Sequence, residues 1–238
     1  MKLFFIRYLK ITFLFLRLDR IFNPFAGFFL NMTYLSRFSK WAAVNGKIEY
    51  NDFPSKWDYR KRYPMYTHVL SIEKLNTEPV NYLEFGVANG ESFKWFIQQN
   101  KNDSSRFYGF DTFTGLPEDF GVYKKGMFNN NTDAPDINDS RGKFYQGLFQ
   151  QTLPGFLADF DNSKRKIIMM DADLYSATLY VLSSLAPLLK KGDIIFFDEF
   201  AVPTHEFKAY LDFIQSYYID LELIAAANNY YFSAFRVK

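Results

Sequence analysis

The sequence predicts an α/β domain built on a mostly parallel β-sheet with helices on both faces. From about residue 80 onward, apolar runs typical of buried strands alternate with segments whose apolar residues recur at helical spacing. The chain ends in two strands joined by Asn228-Asn229, a turn dipeptide that tolerates positive φ and predicts an antiparallel hairpin. Its 238 residues suit one domain with a terminal extension.

The sheet is predicted to have seven strands. We expect them at about residues 80–86, 106–110, 143–147, 165–171, 192–198, 219–226 and 230–237. One helix precedes the first strand, and four more lie between the strands, at about residues 66–75, 91–100, 150–159, 175–190 and 204–218. The helix after Asp173 has the clearest pattern, because its apolar residues repeat at helical spacing and Lys190-Lys191-Gly192 supplies a basic last turn and a glycine stop.

The first strand, loop, helix and second strand carry the features of a nucleoside-cofactor site. Gly86 and Gly90 in the loop let the backbone pass close to a ligand without a Cβ in the way. Asp111 lies 21 residues beyond Gly90, where the acid that ends the second strand of a nucleotide-binding unit meets ribose hydroxyls. Residues 81–111 therefore predict binding of a nucleoside-containing cofactor.

The spacing of the loop argues against a dinucleotide. The pattern is Glu84-x-Gly86-x-x-x-Gly90-x-Ser92, without the tight glycine pair of G-x-G-x-x-G. Glu91 stands at the helix start, where an acid opposes a pyrophosphate but not a cationic ligand such as a sulfonium. A dinucleotide oxidoreductase is disfavoured for this reason.

Carboxylates follow the fourth and fifth predicted strands. Asp171 and Asp173 end the fourth, and Asp198 and Glu199 end the fifth, so all four are expected at the edge of the sheet where such folds bind ligands. Unpaired carboxylates would repel one another, and all-oxygen ligation favours Mg²⁺, Ca²⁺ or Mn²⁺. The alternative is that one or two of them cap a helix or pair with a lysine. For the base, the sequence leaves Asp171, Asp173 and His205 open.

Four motifs occur in register: Gly109-Phe-Asp-Thr-Phe-Thr-Gly-Leu-Pro-Glu118, Gly147-Leu-Phe-Gln-Gln-Thr-Leu-Pro154, Asp171-Ala-Asp-Leu-Tyr-Ser176 and Asp198-Glu-Phe200. Together with the Glu-x-Gly-x-x-x-Gly pattern, they resemble the macrocin/mycinamicin/novobiocic acid O-methyltransferase family over roughly residues 60–236. The resemblance implies the Rossmann-like class I methyltransferase fold and methyl transfer from S-adenosylmethionine to a hydroxyl of a sugar. The acceptor would be a small molecule or glycan, in a surface polysaccharide or a glycosylated natural product.

The resemblance also implies site residues. Relatives bind magnesium at Asp-Gly-Asp and Asp-Asp-Tyr, which match Asp171, Asp198 and Glu199 as ligands of Mg²⁺ or Mn²⁺ here. This chain departs from the pattern at Ala172 and at Glu199-Phe200, where the glutamate side chain is one methylene longer than the aspartate of the pattern. The residues expected to bind the cofactor run from its methionine end through the ribose to the adenine: Glu84, Gly86, Gly90, Ser92, Asp111, Thr112 and Phe113. Ser92 could instead cap the helix, and Phe113 could instead be core.

Residues 1–55 lie outside the resemblance and form a basic, aromatic extension to a domain at 56–238. Seven Lys/Arg against one Asp give residues 1–40 a charge of +6, so the remainder carries 2 − 6 = −4. The sequence leaves open whether this extension packs on the domain or a second subunit, lies on a membrane, or anchors in one. An acidic remainder does not indicate a nucleic-acid partner.

Residues 119–141 are polar and rich in Asn and Asp, and their length predicts a mobile lid, with disorder as the alternative. The chain has no cysteine, which excludes disulfides and thiolate metal sites and fits a reducing compartment. We expect a cytoplasmic protein, either free or peripheral at the inner face of the cell membrane. The alternative to an enzyme is a non-catalytic binding protein that keeps the fold with a degraded metal site.

Overall fold

The computed structural model describes residues 2–119, 121, 123–129 and 133–238. The strands are β1 (Tyr50–Asn51), β2 (Val80–Phe85), β3 (Arg106–Asp111), β4 (Gly142–Gln146), β5 (Arg165–Met170), β6 (Ile194–Phe197), β7 (Leu221–Ala227) and β8 (Phe232–Val237). The helices are α1 (Lys2–Phe15), α2 (Asp19–Asn45), α3 (Arg62–Ile72), α4 (Glu91–Gln99), α5 (Phe149–Ala158), α6 (Tyr175–Leu185) and α7 (Glu206–Tyr217).

The strands form one sheet in the order β1-β7-β8-β6-β5-β2-β3-β4. Only β8 runs antiparallel to its neighbours β6 and β7. This confirms the predicted α/β fold with a C-terminal antiparallel hairpin. The predicted count of seven strands is wrong, because Tyr50–Asn51 adds an eighth strand, parallel to β7 at Ala225 and Ala226. Two residues are too few to show the alternation by which a strand is recognised in a sequence.

The central strands of the sheet are buried because both of its faces are covered. β2 and β6 are buried at every residue, and one apolar cluster lies on each face. Chain order reverses between β2 and β5, since β3 and β4 lie on one side of them and β6 on the other. Ligands of open α/β sheets bind at such a switch point, beyond the carboxyl ends of the strands.

The turn between β7 and β8 also holds the segment that precedes α3. Asn228, Asn229 and Tyr230 all have positive φ, between 55° and 66°. The Asn228 side chain accepts a hydrogen bond from the Asp58 backbone N–H (3.1 Å), and that of Asn229 accepts one from the Ser55 N–H (2.9 Å). The predicted turn dipeptide therefore also fixes residues 55–58 at the edge of the sheet, next to the site described below.

The N-terminal extension consists of α1 and α2. Phe38 and Trp41, near the end of α2, pack against Phe200 and Phe207, with ring centroids 4.9 Å apart in the closest pairs. The first buried side chain of the described extension is Tyr34. Among the helices that the structure describes, none is both long enough and apolar enough to cross a membrane.

The predicted lid at 119–141 is described only in part, and residues 120, 122 and 130–132 lie outside the described residues. The described part of this segment is bonded to Leu116, just before it: the Leu116 N–H donates to the Met127 carbonyl and the Gly126 N–H to the Leu116 carbonyl, both at 2.9 Å. The rings of Tyr123 and Phe128 lie 5.2 Å apart, and both line the cavity described next. That this segment opens and closes stays a prediction.

Candidate active site

A cavity of about 650 Å³ lies at the carboxyl edge of the sheet. Its floor comes from the ends of β2, β3, β5 and β6, and its walls include Trp57, Tyr59, residues 115–118, Tyr123 and Phe128. The volume lies within the range that holds a cofactor-sized ligand. Four residues supplied by the strand ends line it: Gly86, Asp111, Asp171 and Asp198. The sheet topology thus gathers at one place residues that are up to 112 positions apart in the sequence (198 − 86).

Gly86 cannot be replaced by a larger residue without moving the neighbouring strand. Its φ is +93°, and a Cβ built on it would lie 1.8 Å from the carbonyl oxygen of Asp171. The Gly86 N–H donates to the Phe110 carbonyl at 3.0 Å. The first glycine of the loop is therefore needed for the close approach of β2 to β5 at the cavity floor.

Asp111 holds the loop after β2 in place through hydrogen bonds to its backbone. Its Oδ2 accepts hydrogen bonds from the backbone N–H groups of Val87 (2.7 Å) and Ala88 (2.8 Å), and its Oδ1 accepts one from the Phe113 N–H (2.8 Å). Asp111 and Ala88 both line the cavity. The carboxylate thus ties the end of β3 to the loop after β2, and that arrangement shapes one wall of the cavity.

Glu84 is fully buried behind this wall and does not line the cavity. It accepts hydrogen bonds from the Tyr82 hydroxyl (2.6 Å) and from the Ser92 hydroxyl. Burial raises the pKa of Glu84 to about 8, although the two hydroxyl donors oppose the shift. Ser92, itself buried, joins α4 to β2 through this bond, and the structure shows no capping bond from a side chain at the start of α4.

Glu84 should make stability fall with increasing pH. An unfolded glutamate ionises near pH 4.5, so between that pH and about 8 the folded state binds the extra proton, and its stability declines as pH rises. Glu84→Gln removes this dependence. We expect the stability of the variant relative to wild type to increase by roughly 1–3 kcal/mol from pH 5.5 to pH 8. Urea unfolding at both values measures it, with the exposed Glu91→Gln as control; an equal pH response of variant and wild type would contradict the assignment.

The remaining residues predicted to bind the cofactor differ in whether they line the cavity. Thr112 lines the cavity, and its hydroxyl donates to the Gly115 carbonyl at 3.0 Å. Phe113 is fully buried with its ring 6.0 Å from that of Phe144, so the structure places it in the core and not in the cavity wall. Gly90 precedes α4 with φ +73°, and a Cβ there would lie 2.7 Å from Pro135. Gly90 is therefore packed against the segment of the predicted lid.

The four predicted carboxylates all line the cavity. Burial raises the pKa of Asp171 well above its usual range, and the charges of Asp198 and Asp173 add to this shift. Burial likewise raises the pKa of Asp173 to about 7, that of Glu199 to about 8, and that of Asp198. The Tyr231 hydroxyl donates to Glu199 Oε1 at 2.7 Å. This edge of the cavity therefore holds one buried and three half-buried acidic side chains, a concentration of carboxylates that favours binding of a cation.

Arg62 is a cation at this edge that the sequence did not indicate. Its Nη1 lies 3.3 Å and 3.4 Å from the two carboxylate oxygens of Asp198, and both side chains are 4% exposed. The Tyr66 hydroxyl donates to Asp198 Oδ1 at 3.0 Å. Arg60, Lys61 and Arg62 form one basic run in the sequence, and the run does not indicate which of them will be buried. The structure shows that it is Arg62, the first residue of α3.

The carboxylates fit a divalent cation in their chemistry but do not form a prepared metal site. In favour of a cation, Glu199 Oε2 is buried and has no hydrogen-bond partner among the residues that the structure describes. Against a prepared site, no group of three or more His, Cys, Asp or Glu in the described ranges is arranged to hold a metal ion. Arg62 and Tyr66 already bind Asp198, which is one of the three predicted ligands.

His205 lies outside the cavity lining, directly before α7. Its Nδ1 accepts a hydrogen bond from the Tyr175 backbone N–H at 3.4 Å, and burial lowers its pKa. Of the three predicted candidates for the base, the structure brings Asp171 and Asp173 to the cavity and leaves His205 behind the start of α6. Sequence reasoning also missed Trp57, Tyr59 and Tyr231, which line the cavity from outside the recognised motifs.

Comparison with known proteins agrees with this geometry. Residues 83–200, from β2 to just beyond β6, match the model of a methyltransferase domain. Over 145 residues the chain is 25% identical to the 8-demethyl-8-(2,3-dimethoxy-alpha-L-rhamnosyl)-tetracenomycin-C 4'-O-methyltransferase of Streptomyces olivaceus, which covers 52% of this chain. The chain spans about half the length of that curated relative, 54%.

Three solved structures share the fold. The calicheamicin methyltransferase CalS11 has a TM-score of 0.56 at 23% identity, over 74% of this chain and 76% of its own. The O-methyltransferase NovP has a TM-score of 0.55 at 19% identity, over 75% and 79%. The cmcI structure with Mg and SAM has a TM-score of 0.51 at 18% identity, over 84% of each chain. The fold is that of class I methyltransferases, and the domain match with these relatives supports the prediction of an S-adenosylmethionine-dependent O-methyltransferase.

Proposed function

We propose that this chain transfers a methyl group from S-adenosylmethionine to a hydroxyl of a sugar, in a surface glycan or a glycosylated natural product. The observation that carries the proposal is the cavity itself, which has the loop held by Asp111 on one side and the carboxylates of Asp171 and Asp173 on the other. The relative from Streptomyces olivaceus is named for methylation at a 4'-oxygen of a rhamnosyl compound, which supports a sugar hydroxyl as the acceptor.

The chain's own residues would bind both reactants and take up one proton. Gly86 and Asp111 shape the wall against which the nucleoside part of S-adenosylmethionine would lie, and the acidic opposite side favours its sulfonium. S-adenosylmethionine supplies the methyl group. Asp173, which lines the cavity, would take up the proton that the acceptor hydroxyl loses when it is methylated. The products are a methyl ether and S-adenosylhomocysteine.

A divalent cation is a separate part of the proposal. Asp171, Asp198 and Glu199 would hold Mg²⁺ or Mn²⁺, and the buried, unpartnered Oε2 of Glu199 supports this. When bound, such an ion lowers the pKa of a hydroxyl that it contacts. The cmcI structure, which shares the fold, is one with Mg and SAM.

Titration calorimetry with S-adenosylhomocysteine, with and without Mg²⁺, tests both parts. We expect binding in both conditions, at least about threefold tighter with Mg²⁺, together with methylation of a rhamnosyl acceptor that chelator reduces. Binding that Mg²⁺ does not alter, with activity that resists chelator, would overturn the metal part alone. Binding without transfer to any sugar hydroxyl would favour a non-catalytic binding protein. No binding to the folded protein would overturn the proposal.

A further inference from the structure

The first half of the N-terminal extension projects from the domain without a partner in the structure. We call residues 2–33 the arm; it comprises α1, the turn after it and the first part of α2. None of its side chains is buried, and Phe15 is 84% exposed. Apolar surface this extensive is uncommon on a monomeric soluble protein and marks an interaction site.

One stripe of apolar residues runs along each helix of the arm, and further exposed apolar side chains, among them Leu3, Phe5 and Leu9 of α1, lie outside it. On α1 the residues at i, i+4, i+7 and i+11 are Phe4, Tyr8, Ile11 and Phe15. On α2 the same spacing gives Ile21, Phe25, Phe28 and Met32. Each of the eight is exposed by 48% or more. Such a spacing places the four side chains of each stripe on one face of its helix, and a helix with such a face can lie in the plane of a membrane interface.

The charge of the arm favours an anionic partner. Lys2, Arg7 and Lys10 lie outside the stripe of α1, and the acid Asp19 is paired with Arg17 at 3.0 Å. The arm holds five Lys or Arg against one Asp, a charge of +4 (5 − 1), while the rest of the chain carries 2 − 4 = −2, so an anionic surface attracts the arm more than the domain. Two arms of separate copies would repel each other, which argues against a second copy as the partner.

We propose that the arm binds to the surface of an anionic lipid bilayer, with its apolar stripes inserted at the level of the headgroups. The other end of α2 is fixed to the domain, where Trp41 packs on Phe200 with ring centroids 4.9 Å apart. Phe200 follows Glu199, which lines the cavity. The arm would therefore hold the domain at the bilayer, and that the acceptor is carried by a lipid of this bilayer rests on the proposed function. Binding to the bilayer does not depend on the proposed function.

Co-sedimentation of the full chain with vesicles tests this proposal. We expect binding to vesicles of phosphatidylcholine and phosphatidylglycerol at a 7:3 ratio, at least tenfold weaker binding to phosphatidylcholine alone, and loss of binding as salt is raised to 0.5 M. Replacing Phe4, Phe15, Phe25 and Phe28 together with serine should weaken binding at least tenfold. Ile72→Ser, which removes an exposed apolar side chain of α3, is the control and should bind as wild type does.

The variants should fold because the four phenylalanines are exposed, and far-UV circular dichroism with the melting temperature checks this. Two results would overturn the proposal. One is failure of the wild type to bind the anionic vesicles, or equal binding to both vesicle types. The other is self-association that the four serine substitutions abolish, measured by sedimentation velocity in the absence of lipid, with vesicle binding left unchanged by them.

Discussion

Replacing Arg62 with methionine is expected to lower the free energy of unfolding by about 3–5 kcal/mol, because it leaves the buried Asp198 carboxylate without its cation. The Arg62 guanidinium also lies 4.0 Å from the centre of the Tyr59 ring, so packing is lost as well. Urea unfolding in the presence of chelator measures the change. Arg60→Met is the matched control, since the Arg60 side chain is 86% exposed and its pair with Asp58 lies at the surface.

A double-mutant cycle with Asp198→Asn separates the charge from the packing. If the ion pair dominates, Arg62→Met should cost much less in the Asp198→Asn background than in wild type, with a coupling energy of about 1–3 kcal/mol. Equal costs in the two backgrounds would show that Arg62 acts by packing on Tyr59 alone. An Arg62→Met variant as stable as Arg60→Met would contradict a buried pair altogether.

Asp111→Asn is expected to weaken the binding of S-adenosylhomocysteine about ten- to a hundredfold. The carboxylate accepts hydrogen bonds from the backbone of Val87 and Ala88 through one oxygen and from that of Phe113 through the other. An amide of the same size offers one oxygen and places a donor against a donor. A hydrogen bond to a charged group contributes about 1.5–3 kcal/mol, and about 1.4 kcal/mol corresponds to a factor of ten in affinity.

Titration calorimetry on wild type and variant measures the effect of Asp111→Asn. Asp103→Asn, which changes an exposed aspartate before β3, is the control and should leave the affinity unaltered. A folded Asp111→Asn protein with wild-type affinity would show that the loop after β2 does not need this carboxylate to receive the ligand. The melting temperature of each variant distinguishes loss of the site from loss of the fold.

Local pattern was sufficient to predict much of the architecture. The predicted strands from residue 80 onward overlap β2–β8, since continuous apolar runs report burial on both faces of the sheet. Gly86, Asp111, Asp171 and Asp198 were singled out because each lies at the end of a strand, and parallel strands bring their carboxyl ends to one edge. The turn at Asn228-Asn229 was likewise determined by residues that accept positive φ.

Only the tertiary structure decided what those residues touch. Arg62 and Asp198 are 136 positions apart, and no local pattern selects Arg62 over Arg60. Ser92 bonds to Glu84, and Phe113 enters the core beside Phe144, because the helices and strands that carry them meet there. Such contacts depend on how elements pack over long sequence separations.

The N-terminal extension shows the same division between sequence and structure. Its sequence determined a charge of +6 over residues 1–40 and an abundance of aromatic side chains, which are properties of composition. Which of those side chains are covered depends on where α2 meets the domain. The structure places that contact at Phe38 and Trp41, and the exposed stripes of the arm follow from it. Whether a side chain is buried depends on neighbours that lie far away in the chain, and for that reason it was decided by the tertiary structure alone.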